Sequence, residues 1–254
     1  NVMDEIAAFL GKDALDVRRA NVYGIDDRNV TPYGQTVENN MLPRIFDDLA
    51  ARSDYRARAE SVATFNASSK THLRGISLTA VKFGISFNTK FLNQANALVN
   101  VYLDGSVQVS TGATEMGQGV NTKIRQLVAD EFAIAPDRVI VMATSTEKNN
   151  NTSATAASSG ADLNGSAAVD AAQKIRARMT EVAAEHFQRS GGGAPSPVVW
   201  EDGHVTDGRT RLPFQALVKM CHLSRVSLGE RGFYATKYLD WDADAGCGTP
   251  FLYF

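Results

Sequence analysis

Two short stretches carry the residue types best suited to holding a ligand. The first, GATEMGQGVNTK at 112–123, places a glycine-rich turn between a strand-like run and a helix start. Backbone N–H groups converge in such a turn and the helix dipole adds partial positive charge, so an anion or a polar ring edge suits it. It is not an ATP loop. Gly112 and Gly117 have that spacing, but Gln118 and Gly119 stand where Lys and Ser/Thr are needed. The dinucleotide fingerprint fails as well, since no third glycine follows Gly117-x-Gly119. A tight turn that needs glycine dihedrals explains the spacing equally well. Gln118 argues for a ligand, because an amide both donates to and accepts from a heterocycle. The second stretch, NNNTSATAASSGA at 149–161, precedes a long helix with side chains small enough for close backbone approach. Its competing reading is a plain polar loop, preferred for residues 148–152. Together, two such turns suggest one ligand held from two sides.

Other chemistries are poorly served. The four histidines, His72, His186, His204 and His222, have no metal-ligand spacing, and no G-x-S-x-G elbow is present. Glu115 and Glu131 lie nearest the glycine turn, and each reads as a cap or a solvated acid. Phe83, Phe87 and Phe91 read first as core and turn residues, with a stacking wall as the second reading.

The elements that must position these residues follow from periodicity. Val2, Ile6, Phe9 and Leu10 share one face of an N-terminal helix. A second helical region runs from about Thr36 to Thr64, interrupted near Pro43 and Ser53. Residues 1–69 form a helical arm, and 70–254 a lobe of mixed strands and helices. In that lobe Arg74–Phe87 is strand-like, and Ala97–Thr111 is a hairpin about Asp104-Gly105. A helix after Gly119 carries Val120, Ile124, Leu127 and Val128 on one face and stops before Pro136. A strand at Arg138–Ala143 follows. Ala168, Ala171, Ile175, Met179 and Val182 mark a long helix that ends at Ser190-Gly191-Gly192-Gly193. A strand at Val198–Trp200, a turn at Glu201-Asp202-Gly203, a helix from Pro213 to His222 and strand-like sequence to Phe254 complete the chain. Strands and helices do not alternate strictly, so the fold class is α+β.

Composition narrows the function classes. Of 254 residues, 44% are hydrophobic, which excludes a disordered tail, and the net charge of −2 gives no field toward nucleic acid or an acidic membrane. No apolar run approaches the roughly 18 residues of a membrane span. Two cysteines, Cys221 and Cys247, cannot form a disulfide framework or a four-cysteine iron–sulfur site. The N-terminus has no basic start, cleavage site or initiator Met, so a cytoplasmic piece of a longer polypeptide is expected.

KFGISF at 82–87, FLNQA at 91–95, DGSV at 104–107, TEMGQG at 114–119, TAAS at 155–158, RVSL at 225–228 and GFY at 232–234 occur in this order. Together they resemble the molybdenum-cofactor domain of the xanthine dehydrogenases, within the molybdenum hydroxylase family, and a bacterial large subunit is expected. The match runs from about Arg74 to Phe254. The resemblance implies a molybdenum–molybdopterin cofactor and hydroxylation of purines, hypoxanthine and xanthine to urate, with water-derived oxygen. Electrons would leave through [2Fe–2S] clusters and FAD to NAD on other domains or subunits, in an oligomeric parent enzyme.

The family pattern makes Met116, Gly117, Gln118, Gly119, Thr155 and Ser158 cofactor contacts. Phe87 becomes one of two rings that sandwich the substrate. Ala156 and Ala157 become the pocket floor, and Leu92 part of the access channel. Asn88 stands where animal relatives have threonine beside the substrate. Ala161 and Ser166 stand where they carry Thr and Gln. No residue here ligates the metal directly. The family's catalytic glutamate lies C-terminal to the matched region, and the second phenylalanine and an arginine lie N-terminal to it. By itself the chain is therefore expected to be inactive. The alternatives are a related hydroxylase for another N-heterocycle or an aldehyde, and a non-catalytic interaction domain with a vestigial pocket.

Overall fold

The computed structural model describes residues 1–191 and 197–253. Gly192 and Gly193, expected to follow the long helix, lie outside the described residues. In chain order the first elements are helices α1 (Val2–Leu10), α2 (Ala14–Ala20), α3 (Leu42–Arg52) and α4 (Tyr55–Ser68). Strands β1 (Gly84–Ile85), β2 (Gln94–Val101) and β3 (Val107–Thr111), helix α5 (Val120–Phe132), strand β4 (Val139–Val141) and helix α6 (Ser166–Gly191) come next. Strands β5 (Val199–Glu201), β6 (His204–Thr206) and β7 (Arg211–Pro213), helix α7 (Phe214–Leu223) and strand β8 (Gly229–Ala235) follow. The last elements are β9 (Asp240–Asp242), β10 (Cys247–Thr249) and β11 (Leu252–Tyr253). They form two compact units, Asn1–Gly84 with Asp240–Phe254, and Ile85–Leu239.

In the first unit the interruption near Ser53 is real: Ser53 caps α3 and Asp54 turns the chain at φ +48°. The helix expected from Thr36 begins only at Leu42, with Pro43 in its first turn, and Val30 and Thr36 form a β-bridge instead. Asp13 starts α2, its carboxylate accepting from the Leu15 N–H at 2.7 Å. The α1 periodicity is correct, but its apolar face is not buried. Only Ala7 is buried there, and Phe9 is 90% exposed. Arg74–Phe87 is mostly not strand: only Gly84 and Ile85 join a ladder. Ile76, Leu78 and Ala80 instead turn alternate side chains onto a small core with Leu15, Phe46 and Tyr55. An extended segment can satisfy its apolar period against helices without a strand partner. At the C-terminus β9 and β10 pair antiparallel. Tyr33 meets Trp241 and Phe251 edge-on at 6.3 and 6.0 Å, and Gln35 donates to the Phe251 carbonyl at 2.6 Å.

The second unit is built on a four-stranded sheet in the order β4-β3-β2-β8. β2 pairs antiparallel with both β3 and β8, and β3 pairs parallel with β4. The expected hairpin forms at Asp104-Gly105, where the Asp104 carboxylate accepts from the Ser106 N–H and hydroxyl at 2.9 and 2.6 Å. Ala95, Ala97, Val99, Val107 and Val109 meet Val120, Ile124 and Val128 of α5 and Ala168, Ala171, Ile175 and Met179 of α6 in one buried core. Leu127, expected on the same α5 face, is 38% exposed. The alanines of α6 let its backbone reach the sheet: a Cβ on Gly232 of β8 would stand 1.9 Å from the Ala167 carbonyl oxygen. Strands β5, β6 and β7 form a second antiparallel sheet, whose Trp200 packs with Phe132 and Phe214. The architecture is α+β, as the sequence indicated.

Candidate functional site

Strand β3 delivers the glycine turn and α5 carries it away. Gly117 and Gly119 adopt φ +98° and +78°, which only glycine takes freely, and their N–H groups point inward. A carboxylate fills that concavity. Glu115 Oε1 accepts from the Gly117 and Gly119 N–H groups, both at 2.9 Å, and Oε2 accepts from Asn121 at 3.0 Å. The Asn121 and Gly119 amides hold the Glu115 carboxyl below the ordinary carboxylate range. Its reading as a cap is correct. The anion at the start of α5 is therefore the chain's own side chain, where the spacing had suggested an external one. Glu131 pairs with Arg176 at 2.8 Å.

Gln118 folds back on the same turn. Its Oε1 accepts from the Met116 N–H at 2.6 Å, and its Nε2 donates to the Thr114 carbonyl at 2.9 Å. A primary amide has two donor hydrogens and two acceptor lone pairs, so each end keeps one free.

The second polar stretch lies against the first. The Thr114 N–H donates to Thr155 Oγ1 at 2.9 Å, which leaves the Thr155 hydroxyl hydrogen available. Ala157 and Ser158 both sit at positive φ, +50° and +53°, uncommon for residues with a Cβ. Ser159 secures that bend by donating its N–H and hydroxyl to the Ala156 carbonyl at 3.2 and 3.0 Å. A π-helical turn at Ala161–Gly165 then runs into α6. Within that turn, burial raises the pKa of Asp162, whose Oδ2 accepts from the Thr236 hydroxyl at 3.1 Å.

A third segment joins through its backbone, as the Ser86 N–H donates to the Ala157 carbonyl at 3.2 Å. Ser86 is buried at φ +98°. The next residue, Phe87, is held from both sides by Asn93. Asn93 Oδ1 accepts from the Phe87 N–H, and Nδ2 donates to the Phe87 carbonyl, each at 2.8 Å.

A cavity of about 400 Å³ opens between the first two stretches. Met116 and Gln118 line one side and Thr155, Ala156, Ala157 and Ser158 the other, with Val120 and Lys123 contributed by α5. Gly117 and Gly119 shape the turn without lining it. Phe87, Asn88 and Leu92 lie outside its wall: Phe87 is half-buried, Asn88 exposed, and Leu92 half-buried at the end of a 3-10 turn. Sequence reasoning missed Lys123, which helix spacing from Gly119 could have found. It also missed Asn93, whose six-residue reach back to Phe87 leaves no periodic signal. A second cavity, of about 820 Å³, is lined by Asp104, Arg138, Asp202 and Phe214 and contains none of the candidate residues. Among the described residues no group of three or more His, Cys, Asp or Glu is placed to hold a metal, and no helix is long and apolar enough to cross a membrane.

Residues 48–254 match the family model of the molybdopterin cofactor-binding domain. Over 257 aligned residues the chain is 40% identical to xanthine dehydrogenase of Dictyostelium discoideum. It is 36% identical to xanthine dehydrogenase of Oryza sativa subsp. japonica and 39% identical to xanthine dehydrogenase/oxidase of Rattus norvegicus. These alignments cover 99–100% of the chain but only 17% of each relative, so the chain spans about a sixth of their length. Among solved structures, quinoline 2-oxidoreductase from Pseudomonas putida 86 superposes with a TM-score of 0.70 at 22% identity, over 92% of this chain and 32% of that one. The aldehyde oxidoreductase from Desulfovibrio desulfuricans ATCC 27774 gives 0.68 at 22% identity, over 98% and 24%. At that identity the two structures establish a shared fold. The matched family model covers the whole Ile85–Leu239 unit and with it all three segments of the site, and the chain belongs to the molybdopterin cofactor-binding domain family.

Proposed function

We propose that this chain supplies part of the molybdopterin pocket of a xanthine dehydrogenase, a cytoplasmic molybdenum hydroxylase that oxidises purines. The observation that carries this reading is the junction of three segments by Thr114 N–H to Thr155 Oγ1 and Ser86 N–H to Ala157 O. That junction sets the glycine turn, the TAAS bend and the Phe87 segment side by side. The cavity suits the cofactor: Gln118 has one spare donor and one spare acceptor, and Thr155 and Ser158 add hydroxyls. Ala156 and Ala157 keep the wall shallow, and Lys123 supplies a cation for a phosphate. When bound, molybdenum–molybdopterin supplies the redox centre at which a heterocycle carbon is hydroxylated. Its electrons would pass to [2Fe–2S], FAD and NAD sites elsewhere in an oligomeric parent enzyme.

In this reading the chain's own residues bind and orient. Gln118, Met116, Thr155 and Ser158 meet the pterin, and Ala156 and Ala157 admit the flat substrate close to the reacting centre. Phe87 offers a ring face, with its backbone fixed by Asn93, and Asn88 and Leu92 line the approach. In the complete enzyme, Phe87→Ala should lower kcat/KM for xanthine by roughly 1–3 kcal/mol, the stacking contribution per base, at unchanged molybdenum content. Parent-like kinetics in a fully loaded variant would remove Phe87 from the substrate site.

A further inference from the structure

We infer that Glu115 is the positioning residue of the cofactor loop, a carboxylate clamp that presets the turn from which Met116 and Gln118 enter the cavity. The inference rests on the molybdopterin reading above and adds a residue that lies outside the cavity lining. The side chain spans six positions of its own chain, accepting from the backbone N–H groups of Gly117, Gly119 and Asn121 at 2.9, 2.9 and 3.0 Å. Two of those donors belong to glycines at positive φ, so the amides line a concavity that suits a full negative charge.

The clamp closes the turn from one side while Gln118 closes it from the other, through Met116 N–H and Thr114 C=O. The Gln118 amide can face the cavity in one orientation only if the backbone around it is already fixed. No other side chain bonds the Gly117, Gly119 or Asn121 N–H groups among the described residues, so Glu115 is the group that fixes them. The clamp is exposed and lies outside the hydrophobic core, so its loss should loosen this turn and leave the α5–α6 core intact.

The test uses the complete enzyme with Glu115→Gln and Glu115→Ala. Glutamine keeps a carbonyl oxygen for two of the donors but turns an amide nitrogen toward the third, whereas alanine loses all three bonds. Molybdenum and pterin per folded subunit should fall in the order parent, Gln, Ala, reaching about tenfold in the alanine variant, as expected for the loss of charge-assisted bonds. Amide exchange at Gly117, Gly119 and Asn121 should speed up in the same order, with circular dichroism unchanged. Parent-like cofactor content and exchange in folded Glu115→Gln and Glu115→Ala would overturn the inference. If the alanine variant does not fold, the glutamine variant alone decides, and parent-like values there overturn it. Failure of the underlying molybdopterin reading shows separately, as absence of molybdenum and pterin from the unmodified enzyme.

Discussion

Replacing Asn93 tests whether the segment bearing Phe87 is held by one side chain. Asn93 is 2% exposed and its side chain makes three hydrogen bonds, with the Phe87 N–H and carbonyl at 2.8 Å each and the Thr89 carbonyl at 3.3 Å. A net contribution of about 1 kcal/mol per good neutral bond gives roughly 2 kcal/mol for the Phe87 pair, and the long third bond adds less. Asn93→Ala should therefore cost about 2–3 kcal/mol in urea denaturation, or roughly 4–12 °C in thermal midpoint for a unit of this size. The backbone bond from Thr236 N–H to the Asn93 carbonyl at 3.0 Å remains in the variant, so the change isolates the side chain. Asn93→Asp sharpens the test because it preserves shape. The acid can still accept from the Phe87 N–H, but its second oxygen faces the Phe87 carbonyl, so it should destabilise at least as much as alanine. A shift below about 0.5 kcal/mol in both variants would refute the clamp.

Gly232→Ala should destabilise the chain by about 3 kcal/mol or more, because its Cβ would stand 1.9 Å from the Ala167 carbonyl and α6 must move away from the sheet. A denaturation midpoint equal to the parent's would mean that α6 does not make this approach. Cys221 is buried and free, its thiol pushed up to about 11 by burial, whereas Cys247 is free and exposed. At pH 8 the native chain should incorporate one equivalent of alkylating reagent and the denatured chain two. Two equivalents reacting at similar rates in the native chain would contradict the packing of α7.

Local signals made most elements legible. Alanine and larger apolar residues at helical spacing marked α6, and Asp104-Gly105 between alternating runs marked the β2–β3 hairpin. Both depend on residues close in sequence. The exceptions share a cause. Arg74–Phe83 has strand composition but no strand partner, and the apolar face of α1 is exposed, because pairing and burial depend on distant residues. Glu115 read correctly as a cap, yet spacing alone could not reveal that it fills the anion position of the glycine turn.

By itself, the sequence determined the α+β class, the two polar stretches and, through TEMGQG and TAAS, the cofactor family. Short-range backbone preferences and family motifs are written in consecutive residues. The tertiary structure decided which of these residues meet. Thr114 reaches Thr155 across 41 positions, and Ser86 reaches Ala157 through backbone atoms that carry no sequence signature. It also assigned Asn93 to Phe87 and Lys123 to the cavity wall. A pocket depends on the relative placement of separate segments, and that placement is set by how α5 and α6 pack on the β2–β3–β8 sheet.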